Sequence, residues 1–255
     1  MDIKKKILKL KSLRKKIKNK TSIGGWMQTT EPMIAELLGQ RNFDWIVLDI
    51  EHGTFDTSKL QNVFRAIELN NKLPLVRLAN HDKKVLGQLF DSGCCGVIIP
   101  NITSSKDLEN IIKSCSWPPN GSRGVGFSRS NLFGLKFNQY KKIAQKPFIV
   151  AMIENLKALK NLNKILKVKG LDCILIGPYD LSASLGSAGD FSSKKFIKTV
   201  NSIKKNCKKN KIPVGIHLVD PTKHNLFKLK NEGYTFIPYS TDTVLINKAL
   251  DAYLD

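Results

Sequence analysis

Acidic residues are in short supply: 21 Asp and Glu stand against 42 Lys and Arg, a formal net charge of +21. Such an excess raises the question of a nucleic-acid partner. Arginine, the residue suited to bidentate phosphate contacts, occurs only at positions 14, 41, 65, 77, 123 and 129. No basic stripe interleaved with aromatics is present. The lysines instead spread over predicted helices at 4–20, 136–146, 157–169, 194–211 and 223–230, and read as a solvated surface that attracts small anions. Nucleic acid is the lesser reading. The five cysteines (Cys94, Cys95, Cys115, Cys173 and Cys207) are an odd set without a C-x-x-C pair. They argue against a disulfide framework or a zinc site and for a reducing cytoplasm. No apolar run approaches the ~20 residues of a membrane span, and the lysine-broken N-terminus MDIKKKILKLKSLRKKIKNK has no signal-type apolar stretch.

What the sequence does have is alternation. Continuous apolar runs typical of strands buried on both faces fall at Ser22–Met27, Asp44–Ile50, Leu73–Ala79, Gly96–Asn101, Phe148–Glu154, Cys173–Gly177, Pro213–Val219 and Thr235–Ser240. Helical patterns lie between them, roughly at 31–40, 57–70, 82–91, 104–115, 155–168, 193–210, 222–232 and 242–253. Thr57 or Ser58, Thr103 or Ser104, and Ser192 or Ser193 are the expected N-caps. Eight such pairs in one chain predict an α/β fold, a (β/α)8 TIM barrel, over a single domain 1–255. A doubly wound sheet is the alternative, weakened because no G-x-G-x-x-G follows the first strand. Residues 1–20 form an extra amphipathic helix with Ile3, Ile7, Leu10, Leu13 or Arg14, and Ile17 on one face. The Gly-, Ser- and Pro-rich segment 116–146 is expected to be a long loop on the active-site side.

Catalytic groups of such barrels sit at the C-terminal strand ends, and polar residues collect there. Strand two closes in Asp49, Glu51 and His52, strand three holds Arg77, strand five Glu154, strand six Gly177-Pro178-Tyr179-Asp180, strand seven His217, and strand eight Ser240 and Asp242. Glu154 and Asp180, on adjacent strands without Cys or paired His nearby, suit a hard divalent ion completed by water and substrate oxygens; a helix cap is the alternative for Asp180. His52 is placed either to act as a base or to hydrogen-bond in a polar corner. Arg77 needs an anion, either a substrate group or Asp49 or Glu51. Asp91 is either solvated or within reach of a rim histidine. No lysine lies within an apolar strand, so a Schiff-base mechanism has no nucleophile.

The segments FDWIVLDIEHG, LPLVRL, LFDSGCCGVIIPNITS, WPPNGSRGVG, IEN and GLDCILIGPYDLSASLG resemble the HpcH/HpaI aldolase/citrate lyase family, over residues 20–250. The resemblance implies a metal-dependent (class II) pyruvate aldolase built on a TIM barrel, assembled as a trimer or hexamer. Glu154 and Asp180 match its ligands for Mg²⁺, Mn²⁺ or Co²⁺. His52 matches its catalytic histidine, Asp91 the acid paired with that histidine, and Arg77 the arginine that steadies the pyruvate enolate. Trp26, Gly177, Pro178 and His217 would line the substrate pocket. The implied reaction cleaves a 4-hydroxy-2-oxo (2-keto-3-deoxy) carboxylate reversibly into pyruvate and an aldehyde, in the cytoplasm, with no membrane partner. The rivals are an acyl-CoA carbon–carbon lyase and a non-catalytic barrel binding an anion or nucleic acid. Three positions depart from the family pattern: Met152 replaces a common Gln, His217 an aliphatic residue, and Ser240 a Gly.

Overall fold

Eight parallel strands close in chain order into a barrel, β1 lying beside β8, in the computed structural model, which describes residues 1–254. The order is α1 (Ile3–Asn19), β1 (Ser22–Met27), α2 (Pro32–Gly39), β2 (Trp45–Asp49), α3 (Leu60–Leu69), β3 (Leu73–Arg77), α4 (Lys83–Ser92), β4 (Gly96–Ile99) and α5 (Ser105–Cys115). It continues with α6 (Phe137–Ala144), β5 (Phe148–Ile153), α7 (Leu156–Ile165), β6 (Cys173–Ile176), α8 (Pro178–Ser184), α9 (Lys194–Lys209), β7 (Val214–Ile216), α10 (Lys223–Asn231), β8 (Phe236–Tyr239) and α11 (Asp242–Leu254). The TIM-barrel expectation holds. Most strands stop a residue or two short of their apolar runs, because the polar residues that close the runs leave the ladder for the rim loops.

Each strand is buried on two sides for a different reason. Alternate residues such as Val47, Leu75, Ile98, Val150 and Leu175 fill the barrel interior, while Ile46, Leu48, Val76, Val97 and Ile174 pack under the surrounding helices. Trp45 fills the interior opposite Gly24, its register partner; a Cβ at Gly24 would lie 2.0 Å from the Trp45 ring. Two expected caps form: Ser104 accepts from the Asp107 N–H and Ser193 from the Phe196 N–H. Thr57 and Ser58 do not cap α3, which starts at Leu60 after an uncapped Lys59; Asp56 takes the Ser58 hydroxyl instead.

Helix α1 closes the base of the barrel. Ile3, Leu10, Leu13 and Ile17 join the interior cluster of Trp45, Leu73, Phe148 and Phe236. Lys6 Nζ reaches Glu68 Oε1 at 2.6 Å, and Arg14 Nε reaches Asp172 Oδ1 at 2.8 Å. The segment 116–146 also belongs to this end, which corrects its expected position. It leaves α5 and enters β5, so chain direction puts it at the N-terminal ends of the strands. Arg129 ties it there, donating to Glu68 Oε2 at 3.0 Å and to the Ser92 carbonyl at 2.6 Å. The last two helices pack thinly: α10 buries no side chain, and α11 leaves Ile246, Leu250, Tyr253 and Leu254 exposed. No described helix is long and apolar enough to cross a membrane.

Candidate active site

Asp49, fully buried at the end of β2, organises one half of the rim. The parallel register sets Arg77 of β3 opposite it. Arg77 donates from Nε to Oδ1 at 2.8 Å and from Nη2 to Oδ2 at 2.5 Å, and its Nη1 lies 3.0 Å from Glu51 Oε2. The Trp26 indole donates to Oδ2 at 3.1 Å, and the backbone N–H groups of Glu51 and His52 to Oδ1 at 3.0 and 3.3 Å. Both carboxylates left open for Arg77 in the sequence are therefore its partners. Two of its five N–H groups donate hydrogen bonds, both to Asp49, while Nη1 meets Glu51 as an ion pair. Burial pushes the Asp49 carboxyl up, but the hydrogen bonds and charge of Arg77 outweigh it and hold the group below its usual range.

A prediction follows for Asp49→Ala. It strands a buried guanidinium and frees the Trp26 indole, so it should cost about 3–5 kcal/mol in urea unfolding. Because the folded-state pKa lies below the unfolded value, the stabilisation is complete above that unfolded value. It fades as pH falls through the folded one, so the variant's deficit should shrink in acid. A deficit that is small at pH 7, or that grows on acidification, would contradict this role.

Glu154 follows β5 and is only 3% exposed. Its Oε1 accepts the Asn101 backbone N–H at 2.6 Å, and the Asn101 side-chain amide donates to Glu51 Oε1 at 3.2 Å. Asn101 reaches both through a left-handed backbone, φ 55°, which asparagine tolerates better than most residues. Burial first, and then the nearby Asp180 and Glu51 charges, push the Glu154 carboxyl up to about 7 against the Asn101 hydrogen bond. Asp180, exposed in the first turn of α8, completes the carboxylate group. Pro178 starts that helix and Gly177 precedes it. A Cβ at Gly177 would sit 2.7 Å from Glu154 Oε2, so glycine is what lets α8 approach.

This arrangement fits a hard divalent cation. Carboxylates crowd together with one of them buried, a repulsion a cation would relieve, and the donors are all oxygen. Among the described residues no three acidic, His or Cys side chains converge as a metal cluster. Glu154 and Asp180 would therefore hold such an ion with water or substrate oxygens in the remaining positions.

His52 is exposed on the turn after β2, at the same rim. His217, just past β7, packs its ring 4.7 Å from that of Trp26, and its Nε2 lies 3.3 Å from the Ser240 carbonyl oxygen. Asp91 is elsewhere. It ends α4, whose ten residues run about 15 Å from the rim toward the base. It lies 3.5 Å from Arg123 Nη1, facing a cleft of about 390 Å³ that Lys83, Lys84 and Gln88 also line. The expected pairing of Asp91 with His52 is not made within one chain.

A family profile described as HpcH/HpaI aldolase/citrate lyase matches residues 22–249. The chain belongs to the HpcH/HpaI aldolase/citrate lyase family. It is 30% identical over 234 residues to a 5-keto-4-deoxy-D-glucarate aldolase of Shigella boydii, covering 91% of this chain and 90% of that one. It is 30% identical over 236 residues to a 2-keto-3-deoxy-L-rhamnonate aldolase of Salmonella gallinarum, covering 92% and 88%. The crystal structure of an HpcH/HpaI aldolase/citrate lyase family protein from Burkholderia cenocepacia superposes with a TM-score of 0.88 at 24% identity, over 95% of this chain and 97% of that one. The protein is thus a carbon–carbon lyase of the aldolase kind.

Within this HpcH/HpaI chain, two residues of the rim have roles that the sequence alone does not assign. Asn101 carries a signal, an asparagine closing an apolar strand where a left-handed turn is needed. The sequence offers Asp49 as a partner for Arg77, whereas its hold on Trp26 and on the turn carrying His52 depends on register, which apolar periodicity does not specify. Met152, in place of the common Gln, is 2% exposed and would lie 3.0 Å from a Cβ at Gly177. It therefore presents an apolar surface beside Glu154.

Proposed function

We propose that the protein cleaves a 4-hydroxy-2-oxo carboxylate of the 2-keto-3-deoxy sugar-acid type into pyruvate and an aldehyde, and catalyses the reverse addition. The observation that carries this reading is the meeting at one rim of buried Glu154, Asp180, a partly unengaged Arg77 and exposed His52. Glu154 and Asp180 would hold a divalent cation (Mg²⁺, Mn²⁺ or Co²⁺), which would supply the Lewis acidity that makes a methyl proton of pyruvate removable. The N–H groups of Arg77 that Asp49 does not take stabilise negative charge on the keto oxygen as that proton leaves. Asp49 keeps the guanidinium and the Trp26 wall in place. His52 takes up the proton that leaves the methyl carbon and gives it to the oxygen formed at the aldehyde carbon; cleavage runs the same transfers in reverse.

Asp91 adds a condition. At the base of its own barrel it can orient only the His52 of another copy, so the working unit is a homo-oligomer, a trimer or hexamer. The exposed Phe127, Phe133 and Leu135 of segment 116–146, beside α4, and the bare face of α11 supply apolar surface for such contacts. The free, buried cysteines suit a reducing cytoplasm.

The test is proton NMR of pyruvate in D2O. Exchange of the methyl protons, together with decarboxylation of oxaloacetate, should require Mg²⁺, Mn²⁺ or Co²⁺, stop with EDTA and return when the metal is restored. Turnover that survives exhaustive chelation removes the cation from the scheme.

A further inference from the structure

The geometry points to His217 as a hydrogen-bond acceptor that selects an α-hydroxyaldehyde, Nδ1 receiving the O–H beside the aldehyde carbon. This inference rests on the aldolase reading and names the second substrate's class. Three observations carry it. The imidazole lies at the C-terminal end of β7, against Trp26, which shares Asp49 with Arg77. The ring therefore borders the part of the rim that Trp26 and Arg77 form, where the keto acid is held.

The second observation fixes the tautomer. Ser240 adopts a left-handed conformation, φ 52°, and its carbonyl oxygen is the group 3.3 Å from Nε2. A carbonyl can only accept, so Nε2 carries the hydrogen and Nδ1 bears a lone pair. The Ser240 hydroxyl is itself committed to the Val219 carbonyl at 3.0 Å, so it does not compete for the imidazole.

The third is that Nδ1 has no partner among the described residues, and it is not one of the buried unpaired atoms. His217 is half-buried, which leaves this lone pair for a molecule entering the mouth. The ring also stays neutral: burial, and then the Arg77 charge, lower its pKa to about 4. A neutral lone pair beside Trp26 rewards a hydroxyl and gives nothing to a methyl group. An aliphatic residue at this position would have no such preference.

The experiment compares glycolaldehyde with acetaldehyde as acceptors for pyruvate, a pair differing by one hydroxyl. Wild type should favour glycolaldehyde in kcat/KM, and His217→Leu should lower the glycolaldehyde-to-acetaldehyde ratio about tenfold. His217→Gln, whose amide oxygen still accepts, should recover part of it. Taking the ratio within each variant cancels a general loss of active protein. Nitrogen-15 NMR of wild type should show the Nε2–H tautomer at pH 7. An unchanged ratio in His217→Leu, or a ring protonated at Nδ1 alone, overturns the assignment. Deuterium exchange into pyruvate involves no aldehyde: if it proceeds while the ratio stays flat, the hydroxyl assignment alone fails. If wild type does not exchange, the aldolase reading fails and takes this one with it.

Discussion

Glu154→Gln should lower oxaloacetate decarboxylation and aldol turnover at least about 1000-fold while leaving the fold intact. The side chain is isosteric and 3% exposed, and its Oε1 accepts from Asn101, a hydrogen bond the amide oxygen of glutamine can keep. What disappears is a negative charge buried beside Asp180 and Glu51. Without that repulsion the metal-free variant should melt no lower than wild type, since functional charge clusters of this kind are held at a cost to stability. Addition of Mn²⁺ should raise the melting temperature of wild type but not of the variant, because only a native site gains from binding. Activity within tenfold of wild type would place the cation elsewhere. A melting temperature well below wild type would mean that the carboxylate serves the fold and not the site.

The second large effect comes from mixing two inactive proteins. His52→Ala and Asp91→Ala should each lose about 100-fold or more in aldol turnover. Equal amounts co-expressed should then form hybrids in which some sites pair an intact His52 with an intact Asp91 from a neighbour. Random assembly makes that pairing about a quarter of all sites, so turnover should return to about a quarter of wild type. Simple addition of the two residual activities would show that the two residues do not cooperate between copies. The topology requires a second copy for this pairing because α4 carries Asp91 away from the rim on which His52 stands.

Much of the architecture was legible in the chain because it rests on burial alone. Runs such as FIVAMI and CILI have no polar face, so they fit only a sheet covered on both sides, and they recur eight times. Strand-end placement gathered Glu154, Asp180, His52, Arg77 and His217 for the same reason: a polar residue closing an apolar strand must emerge at a rim. What the sequence leaves open depends on distance across the fold. Segment 116–146 has the composition of an active-site loop, yet it follows a helix and not a strand, so it lies at the base. Asp91 lies only 39 positions from His52 in the sequence, and that separation says nothing about which end of the barrel each occupies. The role of Asp49 depends on a register that places Arg77 opposite it.

The packed interior, with Trp45 and Phe236 resting on Leu10, Leu13 and Ile17 of α1, leaves no passage through the barrel from its base. Both reactants must then use the same doorway, and whichever binds deeper has to arrive first and depart last. If the keto acid lies below the aldehyde, its departure waits on the other molecule. An unreactive aldehyde lodged at the opening would act as a cork, trapping pyruvate below it.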